Sequence, residues 1–182
     1  MKSKEEKVLE LFFQEPTREW HFEEILKESD IARSKADAWL KKFIKGKLVK
    51  RVKKKGSMPH YISDYDSSAY KNRKRLFAQQ KLFESGLLDR LLSLPKAKTV
   101  VIFGSMARSD WYKKSDIDIF IYGEAEGLKI ADFELGLQRD IQLFICRDKK
   151  DLKKLGSGFI KNIIRGNLIK GNLDFIRVDA NA

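Results

Sequence analysis

The sequence predicts an α+β protein built from two modules. Residues up to about 63 show helical spacing of apolar residues and then a strongly basic segment. The residues from 95 onward contain continuous runs of β-branched and aromatic side chains, which are typical of buried strands. A length of 182 residues suits one full domain and a small second one. We therefore expect a domain over residues 1–63, a helical connector over 64–94 and a second domain over 95–182.

Composition narrows the class of protein. The apolar fraction is 42%, and no stretch approaches the roughly 20 apolar residues of a membrane-spanning helix. The first ten residues are charged and lack the apolar core of a secretory signal. Cys146 is the single cysteine, so it cannot form an internal disulfide. The sequence has only two histidines beside it, and their spacing does not suit a zinc site. We expect a soluble, cytoplasmic protein with no membrane partner.

The N-terminal module is predicted to hold three helices followed by a β-hairpin. Apolar residues recur at helical spacing in each helix, and Pro16, the pair Ser29-Asp30 and Gly46 interrupt the pattern. Trp20 and Trp39 are assigned to the core. The predicted elements are helices over 4–14, 22–28 and 33–45, an extended piece over 17–21, and strands over 47–54 and 59–63.

The positive charge of the chain is concentrated in the predicted third helix and the first part of the hairpin. Residues 33–55 contain eleven basic side chains and one acidic side chain, a net charge of +10 out of +12 for the chain. Such a field attracts a polyanion, most commonly nucleic acid. Three helices and a basic hairpin resemble a winged helix-turn-helix domain, in which the third helix enters the major groove and the hairpin contacts the backbone. The resemblance implies that DNA or RNA is contacted by Lys35, Lys41, Lys42, Lys53, Lys54 and Lys55, with Ser34 beside them.

Two other interpretations of this basic module stay open. Lysine-rich faces are often only solvated surface, and winged helices also serve as protein-docking modules.

The connector over residues 67–92 has no proline and a single glycine, Gly86, so it is expected to be a mostly helical, rigid link.

The chemistry is predicted from two adjacent strands of the C-terminal half. Gly104 and Ser105 directly follow the apolar run 99–103 and precede a short helical segment, where free backbone N–H groups can hold a phosphate. Asp116 and Asp118 lie in a second strand, 116–122, and alternation places them on one face about 7 Å apart. Two such carboxylates can share one or two Mg²⁺ ions with the oxygens of a triphosphate.

This pattern is similar to the signature of the DNA polymerase beta nucleotidyltransferase superfamily, and most like its minimal members. The resemblance covers about residues 96–178. It implies a mixed sheet flanked by helices, and the transfer of a nucleoside monophosphate from a nucleoside triphosphate to an acceptor hydroxyl. It also implies that Asp116 and Asp118 bind Mg²⁺ or Mn²⁺, and that the β- and γ-phosphates are held by Ser105 and the Gly104 backbone, with added charge from Arg108.

The pattern departs from the superfamily at one position. Active members carry a third carboxylate in a later strand, and here the strand over 141–146 has Gln142 at that place. Asp140 lies two residues earlier, so a small shift in strand register would let it act as the third catalytic carboxylate.

Trp111 and Tyr112 are expected to pack, with stacking on a base as the alternative. Helices over 149–155 and 157–165, a turn-rich segment over 166–171 and a last strand over 174–178 complete the prediction.

The leading hypothesis is a Mg²⁺-dependent nucleotidyltransferase whose winged helix recruits nucleic acid or positions a protein target. One alternative is an antitoxin-like transferase that modifies a partner protein. The other is a DNA-binding regulator whose degenerate transferase domain binds nucleotide without turnover. The acceptor, the preferred nucleotide and the oligomeric state do not follow from the sequence.

Overall fold

The computed structural model of the chain describes residues 3–176, which fold as two compact units. The N-terminal unit extends to Leu76 and includes the segment Asp110–Lys113. The C-terminal unit consists of Phe77–Ser109 and the residues from Lys114 onward. Among residues 3–176, no helix combines the length and the apolar character needed to cross a membrane.

The N-terminal unit contains the expected three helices and hairpin. Its three strands, β1 (Trp20–His21), β2 (Val49–Val52) and β3 (His60–Ser63), form an antiparallel sheet in the order β1-β3-β2, in which Trp20 pairs with Tyr61. The elements in chain order are α1 (Lys4–Gln14), β1 (Trp20–His21), α2 (Phe22–Ser29), α3 (Arg33–Lys45), β2 (Val49–Val52) and β3 (His60–Ser63), followed by α4 (Ser68–Glu84).

A buried backbone carbonyl ties α1 to the sheet and to α4. The C=O of Phe12 lies in the last turn of α1, where it has no partner within the helix. It accepts hydrogen bonds from the hydroxyls of Ser63, at 2.7 Å, and Tyr70, at 2.8 Å. Burial raises the pKa of Tyr70 to about 12, so this hydroxyl stays a donor at neutral pH.

The buried face of α3 differs slightly from the one that the apolar pattern predicts, which consists of Trp39, Leu40, Phe43 and Ile44. Ala36, Leu40 and Phe43 are buried, and their spacing of four and three residues defines the centre of the apolar face. Trp39 lies beside this face and is only partly buried, while Ile44 is 36% exposed. The assignment of Trp39 to the core is therefore wrong, whereas Trp20, 1% exposed, is in the core.

The C-terminal unit is a four-stranded mixed sheet with helices. Its strands are β4 (Ala97–Phe103), β5 (Ile117–Gly123), β6 (Ile141–Cys146) and β7 (Asn167–Lys170). They lie in the order β6-β5-β4-β7, with β4 antiparallel to both of its neighbours and β5 parallel to β6. An α+β fold with a mixed sheet is thus confirmed for this unit. Its elements after α4 are α5 (Leu87–Leu92), β4 (Ala97–Phe103), α6 (Gly104–Arg108), β5 (Ile117–Gly123), α7 (Ile130–Leu137), β6 (Ile141–Cys146), α8 (Lys149–Lys153), α9 (Ser157–Ile164) and β7 (Asn167–Lys170).

The end of the chain differs from its prediction. The last described strand is β7, in the segment predicted to be turn-rich, and residues 174–176 form a turn and coil instead of a strand. Residues 177–178 of that predicted strand lie outside the described part. The chain enters β7 through Gly166, where a Cβ would lie 2.8 Å from the Ile102 carbonyl oxygen and 2.9 Å from Phe103 Cβ. Glycine here serves close packing against β4, which local sequence does not reveal.

Alternation along the strands divides the sheet into two faces. Ile117, Ile119 and Ile121 of β5 point to one face and are fully buried. The opposite face carries an aromatic cluster in which the rings of Phe103, Phe144 and Phe159 meet at 4.9–5.4 Å between centroids. Asp118 shares this second face by alternation and lies at the start of β5.

Candidate active site

The sharp bend after β4 lies directly against a carboxylate of β5. Phe103, the last residue of β4, pairs with Asp118 across the antiparallel strands. Gly104 follows with φ of +70°, in the left-handed region that favours glycine. A Cβ on this residue would overlap Asp118 Oδ2 and lie 3.0 Å from its Cγ. The fold therefore brings the Gly104-Ser105 bend and Asp118 together, as the sequence predicted.

Asp116 and Asp118 are both partly exposed at the start of β5. The strand begins at Ile117, one residue later than predicted, so Asp116 lies just before it. Burial raises the pKa of the Asp118 carboxyl, the negative charge of Asp116 raises it further, and the positive charge of Arg108 opposes both. The Arg108 guanidinium thus acts electrostatically on this carboxylate, although the side chain is exposed on α6.

Gln142 lies at the position where a third carboxylate is expected. In the parallel pairing of β5 with β6 its Cα is the partner of Asp118. Its Nε2 atom donates a hydrogen bond of 2.5 Å to Oδ2 of Asp116. The amide therefore contacts one aspartate directly and is aligned with the other.

The register shift that would place Asp140 opposite Asp118 does not occur. Asp140 precedes β6, it is exposed, and its backbone carbonyl accepts a hydrogen bond of 2.9 Å from the Ile117 N–H. Gln142 keeps the aligned position. A catalytic role for Asp140 stays a prediction.

Two residues that the sequence did not single out fix the starts of the site strands. Glu134 of α7 accepts a hydrogen bond of 2.9 Å from the Ile141 N–H at the start of β6. Arg139 donates from Nη1 to the carbonyl of Ser115, at 2.7 Å, immediately before Asp116. Both contacts depend on the path of the chain from α7 to β6, and no local sequence motif predicts them.

The donor atoms at the site suit a hard divalent cation. Carboxylate oxygens are the ligands that Mg²⁺ and Mn²⁺ prefer. Within residues 3–176, no group of three or more His, Cys, Asp or Glu side chains could hold a metal ion. Asp116 and Asp118 thus form a pair of carboxylates, and further ligands to a cation would have to come from a nucleotide, from water or from the Gln142 amide oxygen.

Trp111 packs inside the N-terminal unit. It is 2% exposed, its ring meets the edge of Phe13 at 6.2 Å between centroids, and Lys74 Nζ lies 4.6 Å from the ring centre. This burial agrees with the packing role expected for it. Tyr112, the next residue, is 53% exposed.

The six lysines predicted to contact nucleic acid are all exposed on the N-terminal unit. Three of them form ion pairs at the surface: Lys41 with Asp37 at 2.7 Å, Lys42 with Glu5 at 2.7 Å, and Lys54 with Glu19 at 3.0 Å. Between the start of α3 and the hairpin lies a cleft of about 770 Å³. It is lined by Phe22, Arg33, Ser34, Asp37, Arg51, Pro59 and Tyr61.

Comparison with known families agrees with the architecture of the C-terminal unit. Residues 87–173 match the family described as Polymerase beta, Nucleotidyltransferase. No curated protein and no solved structure shows significant similarity to the chain. The matched range contains the whole sheet, the Gly104-Ser105 bend and the aspartate pair. This match and the mixed sheet support placing residues 87–173 in the polymerase beta nucleotidyltransferase superfamily.

Proposed function

We propose that the C-terminal unit is a divalent-metal-dependent nucleotidyltransferase. In this reaction the oxygen of an acceptor hydroxyl attacks the α-phosphorus of a nucleoside triphosphate, and pyrophosphate leaves. The observation that carries the proposal is the contact between the Gly104 bend and the Asp118 carboxylate. A bend suited to phosphate and a carboxylate suited to a cation meet at one place, as binding of a metal–triphosphate complex requires.

Each side chain then has a defined task. Asp116 and Asp118 hold the divalent cation, and Ser105 with the Gly104 backbone binds the β- and γ-phosphates. Arg108 adds positive charge, which supports phosphate binding because its field already reaches Asp118. A bound divalent cation stabilises negative charge on the attacking and leaving oxygens. Asp140 is the proposed acceptor of the hydroxyl proton, and its exposure leaves it open to an incoming substrate.

We also propose that the N-terminal unit is a winged helix-turn-helix that binds DNA or RNA. Support comes from the order of three helices and a hairpin, from the antiparallel sheet, and from the exposed lysines of α3 and the hairpin. The pairs of Lys41, Lys42 and Lys54 with carboxylates do not argue against this role. Exposed ion pairs stabilise a protein by only about 0–1 kcal/mol, so a phosphate can replace the carboxylate.

The transferase proposal is tested with α-labelled nucleoside triphosphates, Mg²⁺ or Mn²⁺, and cell RNA, DNA or lysate as the source of acceptor. We expect label transfer by the wild-type chain and its loss in Asp116→Asn and Asp118→Asn. Asp89→Asn removes the same charge at an exposed position on α5 and serves as the matched control. Transfer that persists in both site variants would refute the assignment of the aspartates.

A second candidate function is favoured by Gln142. With a neutral amide at the third position, the unit would bind nucleotide without turnover and act as the sensor of a nucleic-acid-binding regulator. Nucleotide-dependent stabilisation that is lost in Asp118→Asn, with no label transfer to any acceptor, would support this alternative. Label that appears in a protein band instead of nucleic acid would identify a protein-modifying transferase.

The role of the hairpin is tested through salt dependence. Each lysine–phosphate contact contributes about 0.9 to the slope of log affinity against log salt concentration on duplex DNA. Replacing Lys53, Lys54 and Lys55 with alanine should therefore reduce that slope by up to about 2.7 and weaken binding at low salt. The control variant replaces three exposed lysines of α8 and therefore has the same net charge as the hairpin variant; its changes are Lys149→Ala, Lys150→Ala and Lys153→Ala. It should keep the wild-type slope. Equal slopes for both variants would contradict the assignment.

A further inference from the structure

Gln142 has a specific relation to both aspartates of the proposed site. It is aligned with Asp118 across the parallel strands β5 and β6, and its amide nitrogen binds Oδ2 of Asp116 at 2.5 Å. The side chain is exposed, so no core packing accounts for its orientation. Position 142 therefore belongs to the site by geometry.

The amide changes the charge and the donor set of the site. Two carboxylates carry a formal charge of −2, which one divalent cation neutralises, whereas a carboxylate at position 142 would make it −3. The hydrogen bond also restricts rotation of the Asp116 carboxylate and engages one of its oxygens, which leaves Oδ1 free of this contact. Because no third carboxylate or imidazole joins the pair within residues 3–176, the protein itself offers ligands for a single ion.

We infer that Gln142 is a positioning residue that fixes the Asp116 carboxylate, so that the chain binds one divalent cation by itself and takes a second one only together with a triphosphate. This inference rests on the proposed function, because it assumes that Asp116 and Asp118 hold the metal. In it the amide aligns a ligand for the first ion. The phosphate oxygens supply the charge that the second ion needs.

The experiment is a Mn²⁺ titration of the full chain, followed by electron paramagnetic resonance and by calorimetry, without nucleotide. The wild-type chain should bind one Mn²⁺. Gln142→Glu should bind a second Mn²⁺ or bind the first at least about tenfold more tightly, because a third carboxylate joins the site. Gln142→Ala should keep one Mn²⁺ but bind it several-fold more weakly, because Asp116 is no longer held. Gln79→Glu, at an exposed position on α4, adds the same charge as a control and should resemble the wild type.

The outcomes separate this inference from the proposed function. If Asp118→Asn abolishes Mn²⁺ binding while Gln142→Glu and Gln142→Ala both match the wild type, the metal site stands and the role of Gln142 is refuted. Two Mn²⁺ ions on the wild-type chain without nucleotide would also refute it. If Asp116→Asn and Asp118→Asn leave Mn²⁺ binding unchanged, the metal site itself fails, and the inference fails with it.

Discussion

Replacement of Gly104 by alanine perturbs the proposed site through a single added methyl group. The new Cβ would overlap Asp118 Oδ2 and lie 3.0 Å from Cγ, closer than side-chain carbons normally approach one another. The carboxylate must then rotate or shift to make room. The substitution also places a non-glycine residue at a φ of +70°, which costs about 1–2 kcal/mol for an L-residue.

These two effects can be separated with a matched variant. Gly86 has nearly the same backbone conformation, with φ of +77°, but a Cβ there meets no atom within 4 Å. Gly86→Ala should therefore carry the backbone strain alone. For a protein of this size a loss of 1 kcal/mol lowers the melting temperature by about 2–4 °C. In a chelating buffer Gly86→Ala should therefore unfold about 2–8 °C below the wild type, and Gly104→Ala at least as far below it.

The functional measurement distinguishes the two glycines. We expect Gly104→Ala to bind Mn²⁺ at least about tenfold more weakly than the wild type, a loss of about 1.4 kcal/mol, because Asp118 is displaced. Gly86→Ala should bind Mn²⁺ as the wild type does. Wild-type Mn²⁺ affinity in Gly104→Ala, or an equal loss in both variants, would refute the view that the bend and the carboxylate form one site.

Three further predictions concern pH dependence and packing. The pKa of Asp118 is raised in the folded state, so ionisation of this carboxyl destabilises the metal-free fold at a pH above that pKa. At pH 7 in a chelating buffer, Asp118→Asn should therefore unfold at a higher temperature than the wild type. The difference should vanish below about pH 4, where the carboxyl is protonated in both the folded and the unfolded state. Ser63→Ala and Tyr70→Phe should each cost about 0.5–1.5 kcal/mol in urea denaturation, and the double variant should cost more than their sum, because it leaves a buried carbonyl without either donor. Trp111→Ala should cost about 3–5 kcal/mol, whereas Tyr112→Ala, at a side chain that is 53% exposed, should cost less.

Each of these has a clear contradicting result. A constant difference in melting temperature between pH 4 and pH 7 would show that Asp118 ionisation is not a source of instability. Strict additivity of Ser63→Ala and Tyr70→Phe would show that the two hydroxyls do not share an acceptor. Similar losses for Trp111→Ala and Tyr112→Ala would contradict the burial of the tryptophan.

The sequence was sufficient for features that depend on local pattern. The strands over 99–103 and 141–146 were predictable because continuous β-branched and aromatic runs satisfy a buried strand without reference to distant residues. Alternation likewise placed Asp118 on the face opposite Ile117, Ile119 and Ile121, and the change from strand to helix placed Gly104 at a bend.

Features that depend on distant pairing were not predictable. β7 has only four residues, and it becomes a strand because β4 offers it an unpaired edge. The hydrogen bond from Gln142 to Asp116 depends on the register between β5 and β6, which side-chain types alone do not set. The packing of Asp110–Lys113 with the N-terminal unit is also a tertiary property. The sequence indicates that Trp111 is apolar, but it does not indicate which part of the chain Trp111 packs against.

The order of strands in the C-terminal sheet has a consequence for folding. β4 and β5 are close in the chain, with Phe103 paired to Asp118, whereas Ile102 and its partner Asn167 in β7 are separated by more than sixty residues. During synthesis the strand pair that carries the aspartates can therefore assemble early, at a small loop-closure entropy. One side of β4 then exposes unsatisfied N–H and C=O groups until β7 emerges from the ribosome. In that interval the free edge of β4 can pair with a strand of another nascent chain, which is a task for a chaperone to prevent.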